Sequence, residues 1–338
     1  MMGITIRQAD IDRDMDVIRT TFDANRPTPA DPARFQWLYF DNPDGRATVW
    51  LAFDDQTGDV AGAAAVFPRR VRLDGAEVTA WNGADFSINR PYRTMGVAVK
   101  LRRVACDAVD RGASAFLYSH PNARMLPVQL RAGCGALGRM VRLARPLRVR
   151  QRGRVLDGLG SAAVRLMGTD WLVRVRQDVE WRRNLVTPAD VTELFARTAD
   201  RLGTAVVRDA TYLDWRFRRN PIDCNETLIL RSHDRVTAYL VVAARHDVAW
   251  VRDWLAESPD ALAQLFATLI RETRWRGLSS VTVTALETHV DLPHLRRLGF
   301  AERPDFSTAI AYVPTSRPDR SAVLDPCRWY MTLGDRHG

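Results

Sequence analysis

Asn89-Arg-Pro-Tyr-Arg93-Thr-Met-Gly96-Val-Ala98 is the stretch on which the reading of this chain turns. It joins a strand-like run, Ala80 to Ile88, to a run from Val97 to about Arg111 in which Val97, Leu101, Val104 and Ala108 recur at helical spacing. A strand that feeds a helix through so short a turn leaves the first helical N–H groups without partners and facing solvent, which makes an anion site. Gly96 has no side chain where an anion would approach the backbone, Ala98 keeps the first helical turn open, and Arg93 adds a positive charge.

Outward from this stretch, the helical run leads to a second strand, Ser114 to Ser119, then to the turn Pro121-Asn122 and a short segment, Leu126 to Cys134, that contains Arg131 and Gly133. With this context, Arg93-x-x-Gly96-x-Ala98 resembles the pyrophosphate loop of the GNAT acyl-CoA N-acyltransferases, Gln/Arg-x-x-Gly-x-Gly/Ala, over roughly the first 147 residues. The resemblance implies an α/β (α+β) fold, a mixed and mostly antiparallel sheet flanked by helices. It also implies acetyl-CoA or another acyl-CoA as co-substrate and a primary amine, on a small molecule or a peptide, as acceptor. Ile88, Arg93, Thr94, Met95, Gly96, Val97 and Ala98 would hold the cofactor, with Asn122 near its pantetheine arm.

Acyl transfer from a thioester to an amine needs a deprotonated amine, a stabilised oxyanion and a proton for the leaving thiolate. The family often draws its base from the strand before the pyrophosphate loop, which makes Asp85 the catalytic residue expected here; a structural hydrogen bond or a contact to a cationic acceptor is the other reading of Asp85. His120, just past the second strand, has the ordinary pKa of a base or relay at neutral pH. The tyrosine that many members use as acid, four residues before the glycine of a Gly-Phe pair, is replaced by Gln129, which leaves solvent, Tyr118 or Tyr92 to protonate the thiolate.

The second half repeats the first. Phe35-Gln-Trp37-Leu-Tyr39-Phe-Asp-Asn42-Pro43 aligns without gaps to Leu213-Asp-Trp215-Arg-Phe217-Arg-Arg-Asn220-Pro221, and Leu126-Pro127 through Gly133 aligns to Leu292-Pro293 through Gly299. Two tandem GNAT-like domains follow as the expectation: 1–147 binding acyl-CoA, 148–183 as connector, and 184–338 as a degenerate copy. At the place equivalent to Gly96, Leu255 to Ala261 has no glycine, and Glu257 and Asp260 stand where a phosphate would be repelled. Ser258-Pro259 caps the helix there.

The 338 residues carry a net charge of +9, and all 49 basic residues except Lys100 are arginine. Between 139 and 183, twelve arginines face four acidic residues, so this stretch is expected either to be a solvated connector or to attract a polyanion such as tRNA. Apolar residues from Gly158 to Val175 fit a short amphipathic helix. An aminoacyl-tRNA-dependent amide-forming transferase of the Fem type, also built of paired GNAT-like domains, is therefore one rival, and a non-catalytic binding protein is the other. No apolar run is long enough to span a membrane, no signal-peptide core is visible, and the four scattered cysteines have no metal-ligand spacing; a cytoplasmic protein without a bound metal is expected.

Overall fold

The structure, a computed structural model, describes residues 3–93, 96–148, 169–173, 179–183 and 187–336. It divides into two compact units. Unit 1 comprises Met1–Gly138, Ser307–Arg328 and Arg336–Gly338; unit 2 comprises Arg139–Phe306 and Trp329–Asp335. The chain thus enters unit 2 at Arg139, before the boundary expected at residue 147, and returns at Ser307 to complete unit 1.

In unit 1, strands β1 (Ile4–Gln8), β2 (Thr48–Asp54), β3 (Val60–Leu73) and β4 (Ala76–Ile88) pair antiparallel in that order. The β3–β4 hairpin closes on Asp74 and Gly75, both at positive φ (49° and 82°), the two-residue turn that matches strand twist. Helices α1 (Met15–Asp23) and α2 (Pro32–Phe35) precede β2, and α2 runs on into a π-helical turn, Gln36–Phe40. Helix α3 (Val97–Asp110) follows β4 and buries Val97, Leu101, Ala105 and Val109 against Trp50, Ala64, Trp81 and Leu117 of the sheet. Strand β5 (Leu117–Ser119) lies parallel to β4, and its other edge takes Ile310–Tyr312 antiparallel. Helix α4 (Leu126–Arg131) follows β5.

Unit 2 holds most of β6 (Gly135–Pro146), then β7 (Val179–Arg183), α5 (Asp190–Leu202), β8 (Thr204–Val206) and α6 (Ala210–Leu213), which runs into a second π-helical turn, Asp214–Arg218. After these come β9 (Glu226–Ser232), β10 (Arg235–Arg245), β11 (Val248–Ala256), α7 (Pro259–Trp275), β12 (Ser280–Leu286), α8 (Leu292–Arg297), β13 (Ala301–Tyr312), α9 (Arg320–Leu324) and the short β14 (Trp329–Tyr330); of these, residues 307–328 belong to unit 1. Its sheet runs β6-β12-β11-β10-β9-β7, with Leu262, Leu265, Phe266, Leu269 and Ile270 of α7 filling the core beneath it.

The aligned segments take the same shapes. Each π-helical turn follows a one-turn helix whose capping aspartate, Asp31 or Asp209, accepts a hydrogen bond from a backbone N–H inside that helix. Helices α4 and α8 each have proline as their second residue, Pro127 and Pro293, and are followed by a glycine at positive φ, Gly133 (100°) and Gly299 (87°). No helix among the described residues is long and apolar enough to cross a membrane.

Candidate active site

Strands β4 and β5 pair only over Trp81–Leu117, Asn82–Tyr118 and Gly83–Ser119. Beyond Gly83 the register of β4 on β3 slips: Ala65 faces Ala84, Ala64 faces Phe86, and Asp85 is the extra residue, at φ 44°. Such a bulge bends the strand that carries it. It sits just past the last β4–β5 pair, where the pairing of the two parallel strands ends as a fork, and among the described residues the edge of β4 from Ala84 to Ile88 has no strand partner on that side.

Helix α3 begins at the open end of that fork. Its N-cap is Gly96, left-handed at φ 72° and with open space where a Cβ would stand, and the cap accepts no side-chain hydrogen bond. No acidic residue occupies the first turn, and among the described residues no side chain caps the N–H groups at Val97 and Ala98, so nothing there opposes the helix dipole. Arg93 lies on the surface, where its Nε donates to the Ile88 carbonyl (3.2 Å) and an Nη donates to Asn25 Oδ1 (2.7 Å). Asn25 in turn donates to Asn89 Oδ1 (2.9 Å), tying the end of α1 to the turn after β4. Beside this tie lies an open depression of about 740 Å³ lined by Asp16, Thr20, Asn25, Asn89 and Tyr92 among others. Thr94 and Met95, expected to share in cofactor binding, lie outside the described residues.

The helix at the aligned place in unit 2 is capped and carries an acidic residue at its start. Ser258 Oγ accepts from the Ala261 N–H (3.2 Å) at the start of α7, and Asp260 stands in its first turn.

Asp85 is not placed as a base. Its carboxylate takes two hydrogen bonds from Arg34 (2.7 and 2.8 Å), one from Arg26 (2.8 Å) and one from the Tyr39 hydroxyl (3.0 Å). Burial alone would raise its pKa, but the charges of Arg34 and Arg26 outweigh burial and hold it below the ordinary carboxylate value. A carboxylate so paired is a poor proton acceptor, and what it does is fasten the bulge to α2. The same residue types recur in unit 2, where Asp253 of β11 is held by Arg208 and by the Tyr239 hydroxyl (2.7 Å).

His120 is partly buried at the end of β5, edge-on to Tyr118. Burial, with the nearby charge of Arg336, lowers its pKa to about 3, so it is a neutral imidazole at physiological pH and a weak base. Asn122 is exposed and makes the turn: its Oδ1 accepts from the N–H groups of Arg124 (3.1 Å) and Met125 (3.0 Å). Gln129 is buried against Cys134 (3.8 Å), and the Tyr92 hydroxyl is engaged with Asp54 (3.2 Å).

Sequence reasoning passed over Arg102 and Ser119. Arg102 is buried on the inner face of α3, with its guanidinium against Gly83 at the apex of the fork, and Ser119 is the β5 residue paired with that glycine. The signal was present in the helical spacing, since Ala98, Ala105, Cys106 and Val109 flank Arg102 on the same face and leave room for it.

The basic stretch also reads differently in three dimensions. Arg139, Arg142 and Arg145 lie on β6 and pair with Glu287 (2.7 Å), Asp305 (2.6 Å) and the buried Asp170 (2.9 Å). These three arginines belong to a folded strand and not to a connector. The expected amphipathic helix from Gly158 to Val175 lies outside the described residues apart from residues 169–173, which form a turn with Trp171 and Leu172 exposed.

No family model matches the chain, and no curated protein does. Solved structures do. A probable N-acyltransferase from Enterococcus faecalis is similar over 92% of this chain and 73% of its own, at a TM-score of 0.68 and 12% identity. A GCN5-related N-acetyltransferase from Anabaena variabilis is similar over 91% and 72%, at 0.67 and 14%. The N-myristoyltransferase of Saccharomyces cerevisiae, solved with myristoyl-CoA, is similar over 99% and 84%, at 0.60 and 10%. With the parted strands and the open helix N-terminus of unit 1 beside them, these likenesses establish that the chain has the fold of the GNAT acyltransferases.

Proposed function

We propose that unit 1 binds an acyl-CoA and transfers its acyl group to an amine. The fork between β4 and β5, opening onto the uncapped, acid-free N-terminus of α3, carries this reading. The pyrophosphate accepts hydrogen bonds from the first-turn N–H groups at Gly96, Val97 and Ala98, and Arg93 contributes charge. The pantetheine arm lies along the free edge of β4 beside Ile88, and unpaired backbone N–H groups past Gly83 polarise the thioester carbonyl. From Ile88 to Gly83 is five residue steps, roughly 16 Å of strand, room for an extended arm.

The acceptor amine enters from the depression between α1 and the Asn89 turn. Asp85 is a positioning residue here: it fixes the bulge that opens the fork and leaves proton removal to water, with His120 as a neutral hydrogen-bond partner. Because Asp85 is paired, His120 is a weak base and Gln129 cannot act as an acid, a non-catalytic acyl-CoA-binding protein is the second reading. The ion pairs of Arg139, Arg142 and Arg145 weigh against the tRNA-dependent alternative.

Calorimetric titration with CoA tests the binding step. One site per chain is expected, lost when Gly96 becomes valine. Saturation at two per chain, or no binding, would overturn it. Mass spectrometry of an amine panel incubated with acyl-CoA then separates the enzyme from the binding protein.

A further inference from the structure

Arg102 is 1% exposed, yet its Nε and Nη1 make no hydrogen bond. Its guanidinium packs over the Phe86 ring at 5.4 Å, and the ionisable groups that act on it are the thiols of Cys134 and Cys106, with no carboxylate among them. Three other buried arginines are paired with acids: Arg34 with Asp85, Arg145 with Asp170, and Arg208 with Asp253 and Asp335. Burying a guanidinium without a counter-charge is costly, and desolvation lowers its pKa accordingly.

The neighbourhood is shaped to receive this group. A Cβ on Gly83 would stand 3.0 and 3.3 Å from the two terminal nitrogens of Arg102 and 3.3 Å from the Ser119 Cβ, so the glycine leaves the room that the guanidinium takes up against β4. Ser119, 2% exposed, has a hydroxyl without a hydrogen-bond partner. Two buried donors therefore converge at the apex of the fork, at the far end of the path assigned to the pantetheine arm.

We infer that Arg102 and Ser119 form the end of an acyl pocket that selects acyl-CoA molecules bearing a terminal carboxylate, short dicarboxylic acyl groups such as succinyl. This rests on the acyl-CoA reading of unit 1. The carboxylate completes the ion pair that Arg102 lacks and accepts from the serine hydroxyl, while the Phe86 ring packs against the guanidinium. An acetyl group would leave both donors unanswered.

The test is equilibrium binding to the intact chain of free CoA, butyryl-CoA and succinyl-CoA, the last two alike in chain length and differing in the carboxylate. Wild-type protein is expected to bind succinyl-CoA roughly ten- to a hundredfold tighter than butyryl-CoA, the range for a charge-assisted hydrogen bond. Arg102→Met should remove that preference and bind free CoA as wild type does, and Ser119→Ala should reduce it. Equal affinity of wild type for the two acyl-CoAs, with free CoA binding intact, overturns the inference alone, and this comparison needs no variant to fold. A preference that survives in Arg102→Met also overturns it. Absence of binding to free CoA removes the acyl-CoA reading itself, and the inference with it.

Discussion

Asp85 accepts both arms of the Arg34 guanidinium, at 2.7 and 2.8 Å, and this pair holds the β4 bulge against α2. The side chains of both are nearly buried, at 7% and 10% exposure. The carboxylate expected in proton transfer is therefore engaged in holding the strand to its neighbours. Its ligands were hard to foresee: Arg34 is about fifty residues away on a helix of one turn, and nothing in its local sequence marks it for burial.

Replacing Asp85 with asparagine leaves Arg34 and Arg26 facing a neutral group and should lower stability by about 3–5 kcal/mol, the usual result of breaking a buried pair. Urea denaturation measures it. A variant of unchanged stability whose turnover falls and recovers at higher pH would restore Asp85 as the base.

Acid should destabilise the fold by way of His120 and Asp85. In the unfolded chain a histidine takes up its proton near 6.5, whereas folded His120 resists until about 3, so the stability from burying the neutral ring is complete above 6.5 and is lost as pH falls through that window. Asp85, depressed below the ordinary carboxylate value, contributes stability that is lost at the acid end of the same descent. The His120 imidazole signal in an NMR titration should stay fixed between pH 8 and pH 5; movement with a midpoint near 6.5 would refute the assignment.

Gly96→Ala places a Cβ in open space, so it should cost only the left-handed backbone strain, about 1 kcal/mol. Its effect on CoA affinity should be larger than that on stability, because the cap geometry aims the N–H groups. Equal loss in thermal melting and in CoA titration would make Gly96 a packing residue.

Gly133 and Gly299 occupy aligned turns at similar positive φ, so alanine at either meets the same backbone strain. Their surroundings differ: a Cβ at Gly299 would stand 2.7 Å from Arg145 Nη1, and at Gly133 it would stand 3.4 Å from the edge of the Tyr312 ring. Gly299→Ala should be the more destabilising by roughly 1–3 kcal/mol, as in overpacking. Equal melting temperatures would show that Arg145 moves aside freely.

Local pattern made some elements legible and long-range pairing hid others. The β3–β4 hairpin, α3 and the serine cap of α7 announce themselves through turn residues, helical spacing and Ser258-Pro259. The repeat was visible because Trp37 and Trp215 sit in matching frames, and both frames fold as a one-turn helix with a π-helical turn. Strand β6 was hidden by its arginines, which read as a solvated stretch until Glu287, Asp305 and Asp170 are brought beside them. Strand β13 contains Pro304 and an exposed, polar first half, so it lacked the alternation that marks a strand. At the site, the open helix N-terminus was readable from Gly96, whereas the partners of Asp85 and the burial of Arg102 depend on tertiary contacts.

The return of Ser307–Arg328 to unit 1 sets an order of events during synthesis. Among the described residues, strand β5 has its antiparallel neighbour in Ile310–Tyr312, and the ribosome makes those residues after the whole of Arg139–Phe306 of unit 2. Until they emerge, one flank of β5 presents bare N–H and C=O groups, the condition under which nascent strands pair with the wrong chain. The unit that would carry the chemistry thus waits for a segment made after residues 139–306, and a translation arrest shortly before residue 307 would release a chain in which β5, on one side of the proposed cofactor fork, lacks its antiparallel neighbour.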